Sequence, residues 1–332
     1  MLKVGLLGAG RIGQVHAKAI HSHLGSELLA VSDVFSDNAE KVANLYGAKV
    51  KSSKEILADP TVDAVLIATS TDTHTQYIEA ATKAGKPVLC EKPVDLDLQR
   101  ARECLQTVNA TDVPVMIGFN RRFDPSFRAL KSSLEAGEVG KAEILSVTSF
   151  DPSPPPIDYV RVSGGMFRDM SVHDFDMVNF IMSKHPETIY ASGSSLVDAD
   201  IGAAGDIDTA ILTLTYASGE IAVIKNSRRA VYGYDQRIEL LCSDGMLQAQ
   251  NVAENTLVKS TTNGVSAAKP TYFFLERYMP AYEAEWAAFV NAITQGSAMP
   301  VTLEDGVASL AMAEAAMKSL QTGQAVKLAE YF

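Results

Sequence analysis

The chain has 332 residues, of which 47% are hydrophobic and 21% are charged, the composition of a globular protein long enough to form two domains. Its formal net charge of −11 predicts repulsion from nucleic acids and from anionic membranes. No segment approaches the ~18 uninterrupted apolar residues of a membrane span, and Met1-Leu2-Lys3 leads into a predicted strand rather than a secretion signal. We therefore expect a cytoplasmic protein that acts on a small molecule.

The first predicted elements are a strand over residues 2–7, a glycine-rich turn and a helix over residues 14–23. In a turn of this kind two glycines let the backbone approach a pyrophosphate, a third lets helix and strand pack closely, and the helix N-terminus offers N–H groups to the anion. A chance glycine cluster in a loop is the alternative. We predict that a dinucleotide binds at Gly8, Gly10, Arg11, Ile12 and Gly13.

The second apolar run, residues 28–32, ends at Asp33, twenty residues past Gly13. A carboxylate at this place accepts hydrogen bonds from both ribose hydroxyls of adenosine and repels a 2′-phosphate. The sequence therefore predicts NAD as the cofactor, in preference to NADP.

Strands and helices continue to alternate through the first 120 residues. Further helices are predicted over 36–46, 74–84 and 98–109, and further strands over 63–69, 88–91 and 115–119. Buried apolar strands alternating with helices predict a doubly wound parallel sheet, whose ligands bind at the carboxyl ends of the strands. We predict a dinucleotide-binding domain over residues 1–120, with further cofactor contacts from Thr69, Ser70, His74, Glu91 and Lys92. His74 is equally compatible with a helix start that has no chemical role.

Lys92 follows directly on a predicted parallel strand, in the tripeptide Glu91-Lys92-Pro93. A lysine at the carboxyl end of such a strand can donate to a substrate oxygen and stabilise developing negative charge. The alternative is a solvated lysine before a turn. The strand-end position favours a catalytic lysine.

The pattern changes over residues 121–332, which we predict to form a second, substrate-binding α/β domain. Asp124-Pro125 predicts the start of a helix that runs to residue 136, a strand follows over 142–150, and a proline-rich loop follows that strand. Strands over 209–216, 221–227 and 236–242 succeed one another without helices between them. Such a run predicts an antiparallel or mixed sheet, whose uncovered face would serve the association of subunits. Helices over 278–295 and 303–320 and a short strand over 325–328 are predicted to close the chain.

A second chemical cluster follows Gly164-Gly165. A helix predicted from about Asp169 to residue 182 places Asp169, His173 and Asp176 on one face. A carboxylate beside an imidazole can fix its tautomer and stabilise its charged form, and an imidazole suits proton removal near neutrality. One alternative is that Asp169 is a helix-start carboxylate and His173 an ordinary core histidine, neither with a chemical role. Another alternative is that the three side chains bind a divalent metal.

Three more polar residues stand where a polyhydroxylated ligand could use them. Arg122 follows the last strand of the first domain, Asp151 stands at a strand end before the proline-rich loop, and Tyr232 lies beside Gly233. We predict that they contact substrate, together with Lys92, Asp169 and His173. Cys90, Cys104 and Cys242 are odd in number, far apart and without metal-ligand spacing, so we expect reduced thiols and no structural metal.

Four separated motifs occur in an order that resembles the Gfo/Idh/MocA oxidoreductases over essentially the whole chain. They are the glycine turn, Ala68-Thr69 with His74, Glu91-Lys92-Pro93, and Gly164-Gly165 followed by Asp169 and His173. The resemblance implies a Rossmann domain, a C-terminal α/β domain with an open, mainly antiparallel sheet, and commonly a tetramer. It also implies Lys92, Asp169 and His173 as the catalytic set.

Within this family, residues 118–124, the loop 151–156 and residues 274–278 look most like the inositol 2-dehydrogenases. That resemblance implies oxidation of one ring carbon of myo-inositol to the ketone, with NAD accepting the hydride. Oxidation of another cyclitol or sugar, such as scyllo-inositol or an aldose, is an alternative. A second alternative is a dinucleotide-binding regulator that has the fold and does no chemistry.

Overall fold

The computed structural model describes residues 1–332, which form two compact units. The first unit comprises Met1–Phe123 and Met279–Leu310, and the second comprises Asp124–Tyr278 and Ala311–Phe332. The sequence pattern suggests one division, at residue 120, whereas the contacts of residues 279–310 join them to the N-terminal part. Trp286 illustrates the reason, because its buried indole Nε1–H donates to the Ser26 hydroxyl at 2.8 Å, across 260 positions of sequence. None of the helices combines the length and the apolar character that crossing a membrane requires.

Six parallel strands form the sheet of the first unit. They are β1 (Leu2–Leu7), β2 (Ser26–Ser32), β3 (Lys49–Val50), β4 (Ala64–Ile67), β5 (Val88–Glu91) and β6 (Val115–Gly118). Their order in the sheet is β3-β2-β1-β4-β5-β6, and every neighbouring pair is parallel. This is the strand order of a doubly wound dinucleotide-binding domain. The predicted parallel sheet is confirmed.

Helices alternate with these strands. They are α1 (Arg11–Ser22), α2 (Ser36–Tyr46), α3 (Ser53–Ala58), α4 (His74–Lys83) and α5 (Leu98–Asn109). All four residues of β4 are fully buried, as expected for a strand with both faces covered. The parallel arrangement brings the carboxyl ends of the strands, and with them the predicted cofactor residues, to one edge of the sheet.

The second unit contains a mixed, mainly antiparallel sheet of seven strands. They are β7 (Ala142–Phe150), β8 (Thr188–Ser194), β9 (Thr209–Thr215), β10 (Ile221–Ser227), β11 (Asp235–Cys242), β12 (Gly245–Ala249) and β15 (Val326–Lys327). Their order is β12-β11-β7-β10-β9-β8-β15, with β7 and β10 parallel and the other neighbours antiparallel. The two short strands β13 (Val258–Thr261) and β14 (Gly264–Ala267) form a separate hairpin. The predicted fold class is confirmed.

The remaining helices are α6 (Pro125–Glu135), α7 (Ile157–Val160), α8 (Val172–Met182), α9 (Ala199–Ala203), α10 (Phe274–Gln295) and α11 (Leu303–Thr322). The start of α6 shows how local sequence sets a boundary. The Asp124 carboxylate accepts hydrogen bonds from the N–H groups of Ser126 and Phe127 at 3.0 and 3.2 Å, and Pro125 occupies the first helical position. This start is as predicted.

The chain is helical from Gly165 to Met182, as predicted from about Asp169 onward, but Phe167–Ser171 form a π-helical turn directly before α8. The predicted α-helical spacing is wrong over this turn. A π turn holds more residues than an α turn. The α spacing that would place Asp169, His173 and Asp176 on one face therefore does not apply across this segment.

Candidate active site

The turn between β1 and α1 needs its three glycines for different reasons. Gly8 has a φ of +93°, and a Cβ on it would lie 2.3 Å from the carbonyl oxygen of Ala68. A Cβ on Gly13 would lie 2.0 Å from the carbonyl oxygen of Gly8, so helix and turn approach as closely as only glycine allows. A Cβ on Gly10 would meet no atom within 4 Å. Gly10 therefore borders open space in which a bound group can approach the backbone.

α1 begins directly after Gly10, and no side chain caps its N-terminus. The backbone N–H groups of its first turn belong to Arg11, Ile12 and Gly13, and first-turn N–H groups have no acceptor within a helix. A helix N-terminus beside open space suits the pyrophosphate of a dinucleotide. The geometry of the turn thus fits the cofactor that the sequence predicts.

Asp33 follows β2 and is bonded to the same turn. One carboxylate oxygen accepts a hydrogen bond from the N–H of Ala9 at 2.6 Å, and the other accepts one from the N–H of Phe35 at 2.8 Å. A carboxylate has about four acceptor sites, so these two bonds leave capacity for ribose hydroxyls. Asp33 therefore braces the glycine turn in addition to its predicted contact with the ribose.

His74 is almost fully buried and faces protein on both ring edges. Its Nδ1 lies 2.8 Å from the carbonyl oxygen of Pro93, and its Nε2 lies 3.1 Å from that of Thr69. Burial lowers the pKa of the imidazole, although the two carbonyl acceptors favour its charged form. His74 therefore links the segment after β4 to the segment after β5. Its contact with the dinucleotide stays a prediction. Nearby, the Thr69 hydroxyl bonds that of Thr73 at 2.7 Å, and Ser70 is exposed.

Lys92 is half-buried at the carboxyl end of β5, the edge predicted for it. The buried Glu91 before it makes two bonds. Its Oε1 lies 2.7 Å from Nε2 of His16 on α1, and its Oε2 accepts the backbone N–H of Lys92 at 3.2 Å. Glu91 thus connects the helix of the glycine turn to the lysine.

Arg122 is nearly buried in the first unit and has partners there. Its Nη2 pairs with the carboxylate of Asp305 at 3.0 Å, and its Nη1 donates to the carbonyl oxygen of Pro300 at 3.3 Å. Asp305 also caps the start of α11 by accepting the N–H of Thr302 at 2.8 Å. Contact of Arg122 with substrate remains a prediction.

In the second unit, Asp169 and Asp151 share a cation that sequence reasoning missed. Arg228, buried just after β10, donates from Nη2 to Asp169 at 3.0 Å and from Nη1 to Asp151 at 3.2 Å. The hydroxyl of Tyr159 also donates to Asp169, at 2.9 Å. Burial by itself would lower the pKa of the Arg228 guanidinium, but the two carboxylates raise it. The two predicted acidic residues thus belong to one network centred on a permanent positive charge.

Gly165 lets Asp206 approach the backbone directly before the π turn. A Cβ on Gly165, whose φ is +80°, would lie 2.8 Å from Oδ1 of Asp206. Both oxygens of Asp206 in turn lie 3.1 Å from the N–H of Met166. Since Phe167–Ser171 follow directly, this contact fixes where the turn that carries Asp169 begins.

His173 is half-buried in the first turn of α8, next to the fully buried Asp174. The carboxylate of Asp174 accepts from the Ser149 hydroxyl on β7 at 2.5 Å and from the Asn226 amide on β10 at 2.7 Å. The hydroxyl of Ser171 donates to the Asn226 oxygen at 2.6 Å. These bonds anchor the start of α8 on the sheet, and so restrict where the imidazole of His173 can lie.

The hydroxyl of Tyr232 donates to Asp235 at 2.6 Å. Burial, together with this bond to a carboxylate, raises the pKa of Tyr232 to about 12. The phenol therefore stays uncharged near neutrality, and its oxygen keeps the capacity to accept a further bond. The contact of Tyr232 with substrate stays a prediction.

Two residues of these networks, His16 and Arg228, escaped sequence reasoning, although each carries a signal. His16 is a titratable side chain on the buried, otherwise apolar face of α1 and so requires a partner. Arg228 directly follows the end of β10, the kind of strand-end position at which Asp151 follows β7. The structure contains no group of three or more His, Cys, Asp or Glu side chains placed to hold a metal ion. Cys90, Cys104 and Cys242 are buried free thiols, and burial raises the pKa of each.

The first unit therefore offers a dinucleotide site with a lysine at its edge, and the second offers a carboxylate, an imidazole and a guanidinium. These are the groups with which a nicotinamide-dependent oxidoreductase binds its cofactor and moves a proton. Residues 2–119 match the family model described as an oxidoreductase family with an NAD-binding Rossmann fold, and residues 127–248 match the GFO/IDH/MocA C-terminal domain. The chain belongs to the Gfo/Idh/MocA family of oxidoreductases, and its first unit is an NAD-binding domain.

Relatives of the chain match it over nearly its whole length. It is 44% identical over 328 residues to the inositol 2-dehydrogenase of Rhizobium meliloti, and 45% identical over 331 residues to the myo-inositol 2-dehydrogenase of Thermotoga maritima, covering 99% of both chains in each case. It also resembles the crystal structure of scyllo-inositol dehydrogenase from Lactobacillus casei with bound NAD(H) and scyllo-inositol, at 27% identity and a TM-score of 0.92, covering 99% of each chain. The resemblance inferred from the four motifs is confirmed.

Proposed function

We propose that this protein oxidises myo-inositol at one ring carbon to the 2-keto inositol, with NAD as the hydride acceptor. The observation that carries the proposal is the identity of 44–45%, across 99% of the chain, to two relatives named as inositol 2-dehydrogenases. The site chemistry agrees with it. The residues that we predict to contact substrate have hydrogen-bonding or charged side chains, as recognition of a polyol requires.

In the proposed reaction the first unit binds the cofactor and polarises the alcohol. The glycine turn and the first turn of α1 hold the pyrophosphate, and the Asp33 carboxylate accepts hydrogen bonds from the ribose hydroxyls. When bound, NAD supplies the hydride acceptor. The ammonium group of Lys92 donates to the substrate oxygen and stabilises negative charge that develops there.

The second unit handles the proton. The imidazole of His173 takes the hydroxyl proton, and the carboxylate of Asp169 stabilises the resulting positive charge. Arg228, whose Nη2 lies 3.0 Å from Asp169, orients that carboxylate. Asp151, Tyr232 and Arg122 bind the remaining hydroxyl groups of the ring.

A second candidate substrate is scyllo-inositol. The structural relative from Lactobacillus casei was solved with this cyclitol bound, and it matches the chain over 99% of its length. Oxidation of myo-inositol at C2, the one stereocentre at which it differs from scyllo-inositol, gives the same ketone as oxidation of scyllo-inositol. The substrate consumed, rather than the product formed, therefore distinguishes the two.

The decisive experiment is a substrate panel with NAD reduction at 340 nm as the readout. It includes myo-inositol, scyllo-inositol, chiro-inositols, glucose and xylose, each with NAD and with NADP. We expect the highest kcat/KM for myo-inositol with NAD. A higher value for scyllo-inositol would replace the substrate that we propose, and an aldose as the best substrate would exclude inositol oxidation as the main activity.

Two variants test the roles of the catalytic groups. Lys92→Ala and His173→Ala should each lower kcat by roughly 10²-fold or more while NADH still binds, because each removes a group that acts on the proton or the oxygen. NADH binding is measured by nucleotide fluorescence, which does not require turnover. Unchanged kcat in both variants would contradict the assignment.

We also propose a cytoplasmic homotetramer in which the second unit binds substrate and forms the subunit contacts. Alternate residues of its sheet leave apolar side chains exposed on one face, among them Ile144, Tyr190, Ile211 and Ile221. An uncovered apolar sheet face favours association. The three buried free thiols suit a reducing compartment. Light scattering that shows a strict monomer at micromolar concentration would exclude the assembly.

A further inference from the structure

We propose that His16, a residue of the helix that follows the glycine turn, is a positioning residue for Lys92 and acts through Glu91. The proposal rests on the proposed function, since it concerns the lysine of that reaction. His16 lies on α1 and Lys92 follows β5, so 76 positions of sequence separate them. One buried carboxylate joins the two.

The geometry of Glu91 carries the argument. Its Oε1 contacts Nε2 of His16 at 2.7 Å, and its Oε2 accepts the backbone N–H of Lys92 at 3.2 Å. The carboxylate therefore bonds the main chain of the lysine itself. A shift of the Glu91 side chain would change the backbone from which the lysine side chain extends.

The surroundings of the pair restrict it further. His16 is fully buried, and its ring packs edge-on against that of Tyr282 with centroids 5.3 Å apart. A Cβ on Gly118 of β6 would lie 3.3 Å from Cδ of Glu91. The absence of a side chain at Gly118 therefore leaves room for the carboxylate. A buried carboxylate that loses a partner pays a desolvation penalty and moves toward another donor or toward solvent. The contact with His16 thus keeps the Glu91 carboxylate within hydrogen-bond distance of the Lys92 backbone N–H.

The segment is held from its other end as well. The carbonyl oxygen of Pro93, directly after Lys92, contacts Nδ1 of the buried His74 at 2.8 Å. Lys92 therefore lies between two points that buried histidines hold. Loss of the His16 contact should displace the lysine while the glycine turn, which has its own contacts, still binds the dinucleotide.

The test compares three variants of the full-length enzyme. His16→Phe keeps a ring of similar size and removes the donor, whereas His16→Gln keeps an N–H donor at about the position of Nε2. Trp286→Phe is the matched control for lost stability, because it removes a buried hydrogen bond to Ser26. Ser26 lies at the amino end of β2, whereas Lys92 follows the carboxyl end of β5 in the same sheet. For each variant we measure the thermal midpoint, NADH binding by fluorescence, and kcat and KM for the polyol.

We expect His16→Phe to lower kcat about 10-fold or more with little change in NADH binding, because a misplacement of about 1 Å can cost ~10²-fold in rate. His16→Gln should restore most of the loss, and Trp286→Phe should lower the thermal midpoint without lowering kcat. A His16→Phe enzyme with the kcat of the wild type would overturn the proposal. So would a loss of kcat in Trp286→Phe equal to that in His16→Phe, since stability would then explain both.

Crystal structures of the wild type and of His16→Phe provide a readout that needs no turnover. We expect the backbone at Lys92 to move by about 1 Å, the displacement that matters for rate. An unmoved lysine backbone would overturn the positioning role. A wild type that turns over no polyol would instead overturn the proposed function, while the crystal structures would still decide whether His16 positions Lys92.

Discussion

The guanidinium of Arg228 donates to the carboxylate of Asp169 at 3.0 Å, and its other terminal nitrogen donates to Asp151 at 3.2 Å. Asp169 is thus held by a residue 59 positions away in sequence, on the strand end after β10. A buried arginine keeps its charge at any pH at which a protein folds. The acidic group of the proposed catalytic set is therefore oriented by a fixed cation.

Replacement of Arg228 by alanine should lower kcat/KM for the polyol by roughly 10-fold or more, because Asp151 and Asp169 would then repel each other without a cation between them. Arg228→Lys should recover part of the loss, since it restores the charge without the two-pronged geometry. Arg229→Ala, at the exposed neighbouring position, is the control. Steady-state kinetics that show equal activity for the alanine variants at 228 and 229 would contradict the role of Arg228.

Alanine at two positions of the glycine turn should affect different properties, fold stability at Gly13 and NADH binding at Gly10. Gly13→Ala places a Cβ 2.0 Å from the Gly8 oxygen, so it should lower the free energy of unfolding by about 1–3 kcal/mol or more in urea denaturation. Gly10→Ala meets no protein atom, so it should fold normally and weaken NADH binding, because its methyl group enters the space left for the pyrophosphate. Normal NADH binding by Gly10→Ala would show that this space does not serve the cofactor.

Asp33→Asn should reduce the preference for NAD over NADP. The change removes the negative charge that repels a 2′-phosphate, while the amide oxygen can still accept one of the two backbone bonds. The measurement is the ratio of kcat/KM for the two cofactors. Glu27→Gln makes the same charge change at an exposed position of β2 and should leave the ratio unchanged. An identical ratio in the wild type and in Asp33→Asn would refute the role of the carboxylate.

His74 should make the fold less stable in mild acid. Its pKa in the folded protein lies below the ordinary 6.5 because the ring is buried. Between that lowered value and 6.5 the unfolded chain binds a proton that the folded chain does not, so stability falls as the pH falls through 6.5. The contribution has a slope of at most about 1.4 kcal/mol per pH unit.

The measurement is urea denaturation at a series of pH values from about 7.5 to 5.5, the range in which histidine titrates. His74→Asn should be less stable than the wild type at neutral pH and should lose stability less steeply on acidification. His21→Gln, at an exposed histidine of the same unit, should retain the slope of the wild type. A slope that His74→Asn leaves unchanged would assign the acid sensitivity to other groups.

Local patterns predicted most elements of the first unit, although not β3 and α3, because each depends on residues close in sequence. The strand, turn and helix around residues 8–13 follow from where an added Cβ would collide or enter open space. α2 ends where Gly47 adopts a φ of +74°. The edge on which Asp33 and Lys92 lie follows from parallel strand order alone.

Patterns were less reliable in the second unit. An α periodicity assumed from Asp169 onward failed because Phe167–Ser171 form a π turn, whose start is held by Asp206 from a distant loop. The deciding contact comes from a residue 40 positions away from Met166, which no local window includes.

The amino-acid sequence by itself determined the doubly wound dinucleotide-binding domain, the family and the residues at the strand ends, because sterics and hydrophobic periodicity act over a few neighbouring residues. Only the tertiary structure decided which groups hold them. His16 reaches Glu91 across 75 positions, and Arg228 reaches Asp169 across 59. Burial makes such pairs necessary, since a charge removed from water needs a partner, but only the folded chain determines which partner lies within reach.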